Sequence, residues 1–160
     1  MLITNTKLSG FTLLEVMIAL IIFSIGLLGL AGLQAAGIRS NQISYSRTIA
    51  TQLVYDMADR IRNNPGIDYS STTPGGDCIS APCSSTAMAD FDRLEWNTAI
   101  NNPDSPLRNS VGFISQSTSG GITFYTVAIG WDEDRAGITA TGCSPAAPAG
   151  IVCVVIDVFP

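Results

Sequence analysis

Gly10-Phe11-Thr12-Leu13-Leu14-Glu15 introduces the stretch that decides the fold, because Val16 to Ile38 follows it as VMIALIIFSIGLLGLAGLQAAGI, 23 residues without a charge. At about 1.5 Å per residue such a helix spans roughly 35 Å, enough to cross a hydrocarbon core of about 30 Å. A secretory signal peptide is the competing reading, but its apolar core is usually about 7–15 residues and ends at a small-residue cleavage site. Here the run is longer, and Ala35-Ala36-Gly37 lies at its far end. Glu15 stands alone at the edge of the run, preceded by a short polar segment whose only charge is Lys7. A carboxylate inside a bilayer costs about 2.5–3.5 kcal/mol at a helix centre, so Glu15 either sits solvated at headgroup level or has a partner. Gly26, Gly29 and Gly32 form a small-residue stripe of the kind that lets helices approach closely in lipid, and glycine is also common in ordinary membrane helices.

After Ile38 the pattern changes. Tyr45, Ile49, Leu53, Met57 and Ile61 recur every four residues, with Ala50, Val54 and Ala58 beside them. That spacing predicts an amphipathic continuation of the helix, with Arg39, Arg47, Gln52, Asp56, Asp59 and Arg60 on its other face. Asp56 and Arg60 form a favourable i,i+4 pair, and Asn63-Asn64-Pro65-Gly66 stops the helix. One helix from about Thr12 to Arg62 would be about 75 Å long.

The 160 residues carry 8 basic and 13 acidic side chains and no histidine, and Lys7 is the one lysine. Without histidine there is no Ser-His-Asp or Cys-His nucleophile pair and no imidazole metal site. Without a lysine in the body of the chain there is no Schiff base. Residues 39–64 carry a net +2, whereas residues 65–160 carry three Arg against ten Asp and Glu, a net −7. Such an acidic region repels phosphate backbones, so no nucleic-acid partner is expected.

Residues 66–89 read as a loop rich in Ser, Thr, Gly and Pro. AMADFDRLEWNTAI, 87–100, suits a short helix with Phe91, Leu94, Trp96 and Ile100 partly buried. Val111–Ile114 is a weak strand candidate, while Ile122–Trp131 and Ile151–Phe159 are strong ones, rich in β-branched and aromatic residues. A small antiparallel sheet packed on the helix stripe is the economical α+β fold.

Four cysteines beyond a membrane anchor imply an oxidising compartment, and three pairings are possible. The local pairs Cys78–Cys83 and Cys143–Cys153 are favoured, because each would pin a loop poor in core residues. Zinc through four thiolates is the competing use, but intervals of four and nine residues suit a zinc ribbon badly, so no metal is expected. Asp132-Glu133-Asp134 invites a calcium reading, yet Ala136 takes a ligand position and Cys143 stands where the bidentate Glu belongs. A solvated acidic turn is the simpler expectation. Asp90 and Asp92, near Glu95, read as surface charges rather than paired catalytic carboxylates. No catalytic residue and no cofactor are assigned.

The segment GFTLLE (10–15) ahead of a long apolar helix resembles the processing site of type IV prepilins. The resemblance implies that a prepilin peptidase cuts between Gly10 and Phe11 and that Phe11 becomes the N-methylated amino terminus. It also implies that Glu15 recruits a subunit by pairing with the Phe11 amine of a neighbour, which fits the need of a buried carboxylate for a cation. Many major pilins carry a proline within the apolar stretch, and this chain has none there. Leu53–Asn63, WNTAI (96–100), FYTVAIGWDED (124–134) and the closing strand further resemble PilV-type minor pilins. The layout implied is the pilin fold: leader 1–10, membrane and assembly half-helix 11–38, amphipathic half-helix 39–64, and periplasmic head 65–160. The implied function is that of a type IV minor pilin that primes pilus assembly, perched in the inner membrane and then carried into the pilus fibre at the cell surface. Its implied partners are other minor pilins, the major pilin, the prepilin peptidase and the inner-membrane assembly machinery. A type II secretion minor pseudopilin shares the same processing site and helix; a DNA-receptor pilin and a tethered enzyme are more distant readings.

Overall fold

The computed structural model describes residues 10–71, 75–143, 147 and 149–160; the expected leader lies outside these except for Gly10. The chain divides into two compact units, one up to Asn41 and one from Gln42 to Pro160. It is an α+β protein: helix α1 (Leu13–Asn63), helix α2 (Ser85–Ile100), and strands β1 (Val111–Ser119), β2 (Ile122–Asp132) and β3 (Ile151–Val158). A long apolar N-terminal helix with a small three-stranded antiparallel sheet is consistent with the pilin fold.

In the first unit, every residue from Gly10 to Asn41 is exposed. The apolar run satisfies its own backbone as helix, and the Ser24 hydroxyl donates back to the Leu20 carbonyl at 2.6 Å. A helix that leaves neither backbone nor hydroxyl unpaired is what a hydrocarbon environment requires.

The second unit contains the core. Ala50, Val54, Met57, Ala58 and Ile61 of α1 are buried, with Ile49 and Leu53 partly so. The buried stripe is therefore centred on Ala50, Val54 and Ala58, and Tyr45, placed on it by the four-residue repeat, is 58% exposed. A strict step of four advances about 400° and drifts across the helix face, so the first member of such a series leaves the stripe that the last one joins.

The sheet runs β1-β2-β3, antiparallel throughout. β1 continues to Ser119, beyond the apolar Val111–Ile114, because the Gly120-Gly121 turn has positive φ at both positions and closes a two-residue hairpin between Ser119 and Ile122. Tyr125, Val127, Ile129 and Trp131 bury one face of β2 into the core shared with Val54, Met57, Ile61, Trp96 and Ile100. At Gly112 of β1 the Trp96 ring and Ile100 occupy the space a side chain would need, which brings α2 close to the sheet. Leu94, expected to be partly buried, is 45% exposed, since burial on α2 follows Ala89, Asp92, Trp96 and Ile100.

Candidate functional site

Two groups of residues carry chemistry, and the units hold one each. In the first, Gly10 and Phe11 precede helix α1, and Thr12 caps its start at Leu13. The Thr12 Oγ1 accepts the Glu15 N–H at 3.2 Å, and the Thr12 carbonyl accepts the N–H groups of Glu15 and Val16 at 3.1 and 3.3 Å. Thr12 and Glu15 thus stand in the Thr-x-x-Glu spacing of a capping box, and the carboxylate lies in the first turn, where the helix dipole favours negative charge. Phe11 is 82% exposed, and the side chains along the apolar run are exposed too. Among the described residues a side chain at Gly10 would meet nothing within 4 Å.

In the second unit, Arg60 of α1 gathers three carboxylates. Its Nε donates to Asp56 at 3.0 Å, and its Nη1 donates to Asp92 and Glu95 of α2, both at 2.9 Å. The Tyr69 hydroxyl donates to the other oxygen of Asp92 at 3.0 Å, and Asn64 donates to Tyr69 and to the Ser85 carbonyl. Burial alone would disfavour the Arg60 charge, but the hydrogen bonds to Glu95 and Asp92 prevail and raise its pKa further. Asp92 is only 8% exposed, so the expectation of a plain surface charge is corrected: it is a hub between the two helices. Two signals for this were present in the sequence, since Asp92 and Glu95 lie three apart on one helix face and Arg60 already had a partner at Asp56. The cleft beside this cluster is lined by Asn64, Ser85, Met88 and Arg60, whose guanidinium is already shared among carboxylates.

Asp132 is also buried, at 2% exposure, which corrects the reading of a solvated acidic turn. Its carboxylate accepts the N–H groups of Ala136, Gly137 and Ile138 at 3.0, 2.7 and 3.1 Å, so it closes the loop after β2. Burial pushes its carboxyl up, but the three backbone donors and Asn109 outweigh this and hold it below the usual carboxylate value. The neighbouring Glu133 takes a two-point hydrogen bond from Arg47 of α1. The structure joins Cys78 to Cys83 and Cys143 to Cys153, closing the loops before α2 and before β3.

This second group is built of ion pairs, caps and disulfides that hold one element to another, whereas the first lies wholly on an exposed terminus. A family model for the prokaryotic N-terminal methylation motif matches residues 6–31, covering Gly10, Phe11, Glu15 and the apolar run to Ala31. No curated protein matches the chain, and no solved structure does. The pilin-type motif suggests a structural rather than an enzymatic protein, and with the apolar helix it fits a membrane anchor. The chain carries a prepilin-type methylation signal at the head of a long apolar helix, which supports a type IV pilin-like protein.

Proposed function

We propose that the chain is a PilV-like minor pilin of a type IV pilus. Prepilin peptidase cuts it after Gly10, and Phe11 becomes the N-methylated terminus. The apolar half of α1 holds the subunit in the inner membrane with the head in the periplasm. Glu15 then recruits it by pairing with the terminal amine of a neighbouring subunit. With other minor pilins it primes assembly of the major pilin by the inner-membrane machinery, and it enters the fibre near the tip.

The observation that carries this reading is the methylation motif at residues 6–31 running straight into an exposed apolar helix. Gly10 adds to it. Among the described residues nothing crowds that position, so it is open to an outside reader of the sequence such as a peptidase pocket. Glu15 adds more, because a lone carboxylate at an apolar helix needs a cation once water is excluded. The head, with its net −7, contributes contacts to protein partners rather than to nucleic acid.

The deciding experiment is intact mass and N-terminal analysis of the protein from its native membrane and from sheared pili. The expected species begins at N-methyl-Phe11. A chain still beginning at Met1 in assembled material would refute the processing and the roles given to Gly10, Phe11 and Glu15. Co-purification with secretion-system subunits instead of pilus subunits would reassign the chain to a type II secretion pseudopilus.

A further inference from the structure

The two disulfides sit in different surroundings. Cys143 and Cys153 face inward: Cys153 stands opposite Gly130 in the β2–β3 ladder, and a side chain at Gly130 would come within 3.1 and 3.3 Å of the Cys143 and Cys153 sulfurs. Ala140, over the same glycine, is 1% exposed. Cys78 and Cys83 close a shorter ring, with a sequence separation of 5 against 10. The residues between them are out in solvent: Ile79 is 82% exposed, and Ser80, Ala81 and Pro82 are exposed as well. Cys83 also lines the open cleft beside Arg60 and Met88, whose volume of about 330 Å³ admits a small thiol; Cys78 is not part of that lining.

The loop and the helix after it have ties of their own. The Asp77 carboxylate accepts the N–H groups of Ile79 and Ser80 at 2.9 and 3.4 Å, and the Ser80 hydroxyl as well. Ser84 caps α2: its hydroxyl oxygen accepts the Ala87 N–H at 3.3 Å, and its carbonyl accepts the Met88 N–H at 2.8 Å. Acceptors for a reduced pair are in place too. The Ala87 carbonyl oxygen lies 3.6 Å from the Cys78 sulfur, and the Asp77 carbonyl oxygen lies 3.7 Å from the Cys83 sulfur. A disulfide has no proton to offer them, whereas two thiols donate one each. Among the described residues the inward pair has one such oxygen, that of Gly142 at 3.9 Å from the Cys153 sulfur. The oxidised and reduced forms of the outer pair thus fit one frame.

We propose that Cys78–Cys83 is an exchangeable disulfide, opened and closed by an external dithiol through the Cys83 sulfur, while Cys143–Cys153 is a fixed structural bond. A thiolate of the dithiol enters the cleft and bonds to Cys83 Sγ. The bond between the two protein sulfurs breaks, and its electron pair leaves on Cys78, which takes up a proton and donates a hydrogen bond to the Ala87 carbonyl. The second thiolate of the dithiol then bonds to its own first sulfur, and the mixed disulfide breaks with its pair on Cys83, which takes up a proton in turn. The protein gains two electrons and two protons, and the dithiol becomes a disulfide; the reverse sequence closes the ring. The exchange loosens a loop tipped by Ile79 and leaves the Arg60–Asp92 ion pair between the helices in place. This inference does not rest on the pilin reading, because it uses the head's cysteines alone.

A redox titration of the full chain in detergent micelles tests it, with graded ratios of reduced to oxidised dithiothreitol, quenching by N-ethylmaleimide and peptide mass mapping. Cys78 and Cys83 should become alkylated at a ratio at least about tenfold lower than Cys143 and Cys153 require. The thermal transition of the head should persist while only the outer pair is open, and oxidised dithiothreitol should restore the bond. Glutathione disulfide should cap Cys83 in Cys78→Ser at least about tenfold faster than it caps Cys78 in Cys83→Ser. Opening of both bonds over one range, or of Cys143–Cys153 first, overturns the proposal, and so does loss of the thermal transition when the outer pair opens. Equal capping rates in the two variants overturn the route through Cys83. Should either variant misfold, the same capping is followed on the wild-type chain by mapping which of the two sulfurs first carries glutathione.

Discussion

The Arg60 guanidinium and the Asp92 carboxylate meet at 2.9 Å across α1 and α2, with side chains 28% and 12% exposed, and both hold further partners. Removing one member of such a pair leaves the other largely desolvated, which costs more than the pair itself contributes. Arg60→Ala should destabilise the protein by about 2–3 kcal/mol in urea denaturation, with an unchanged m-value. The double variant Arg60→Ala/Asp92→Ala should lose less than the sum of the two single losses, because the second removal takes away the orphan created by the first. Additive losses would mean that the two groups act independently.

Tyr69 sits fully buried behind this pair. Burial pushes its phenol up to about 12, helped by Asp92 and opposed by the hydrogen bond from Asn64. In the unfolded chain a tyrosine titrates near about 10. The folded state therefore holds the neutral form more strongly, and the associated stability is complete below about pH 10 and is lost as pH rises through about 12. The thermal midpoint should fall steeply in that window, with phenolate absorbance appearing late. Tyr69→Phe should reduce the late-appearing absorbance, leaving the share of Tyr125, whose phenol burial also pushes up, and should flatten part of the fall.

Gly112 of β1 shows how closely α2 approaches the sheet. A methyl group there would run into the Trp96 ring and come within 2.7 Å of Ile100 Cδ1, and the Trp96 Nε1 is itself tied to the Leu53 carbonyl at 2.7 Å. The ring has little freedom to yield. Gly112→Ala should therefore destabilise by about 1–3 kcal/mol, as overpacking does, and Gly112→Val by more. Unchanged thermal melting of Gly112→Ala would show that α2 shifts freely over β1.

How legible the molecule was in its sequence follows from the range of each signal. The apolar run, the amphipathic stripe and strands β2 and β3 are written locally, in periodicity and β-branched content, and they stand in the structure at nearly the predicted bounds. The Gly10–Glu15 segment was legible for a different reason: it is a contiguous string that matches a motif model, with no folding needed to assemble it. Asp92 and Asp132 were misread because their burial is decided by what lies far away in sequence. Asp92 is covered by Arg60 and Tyr69, both more than twenty residues distant. Asp132 is covered by a loop that folds back over it, and nothing in its local Asp-Glu-Asp composition reveals that three amides will converge on its carboxylate.

That convergence gives Asp132 an acid signature. Its carboxyl is held below the ordinary value because the amides of Ala136, Gly137 and Ile138 and the Asn109 side chain favour the charged form more strongly than burial disfavours it. A carboxyl depressed on folding contributes stability that is present above its unfolded pKa, about 3.9, and lost as pH falls through its lower folded value. Asp132→Asn keeps the shape and leaves one acceptor oxygen, but it removes the charge and sets an amide donor among backbone donors. The variant should melt at lower temperature than wild type at neutral pH. Because it carries no carboxyl to protonate, its stability should also fall less between pH 5 and pH 2, so the two melting curves should converge in acid. Loop exchange should report the same event, with amides 136–138 losing protection in the variant while those of β2 keep theirs. Parallel acid profiles for the two proteins would mean that the carboxylate is not what holds the loop closed.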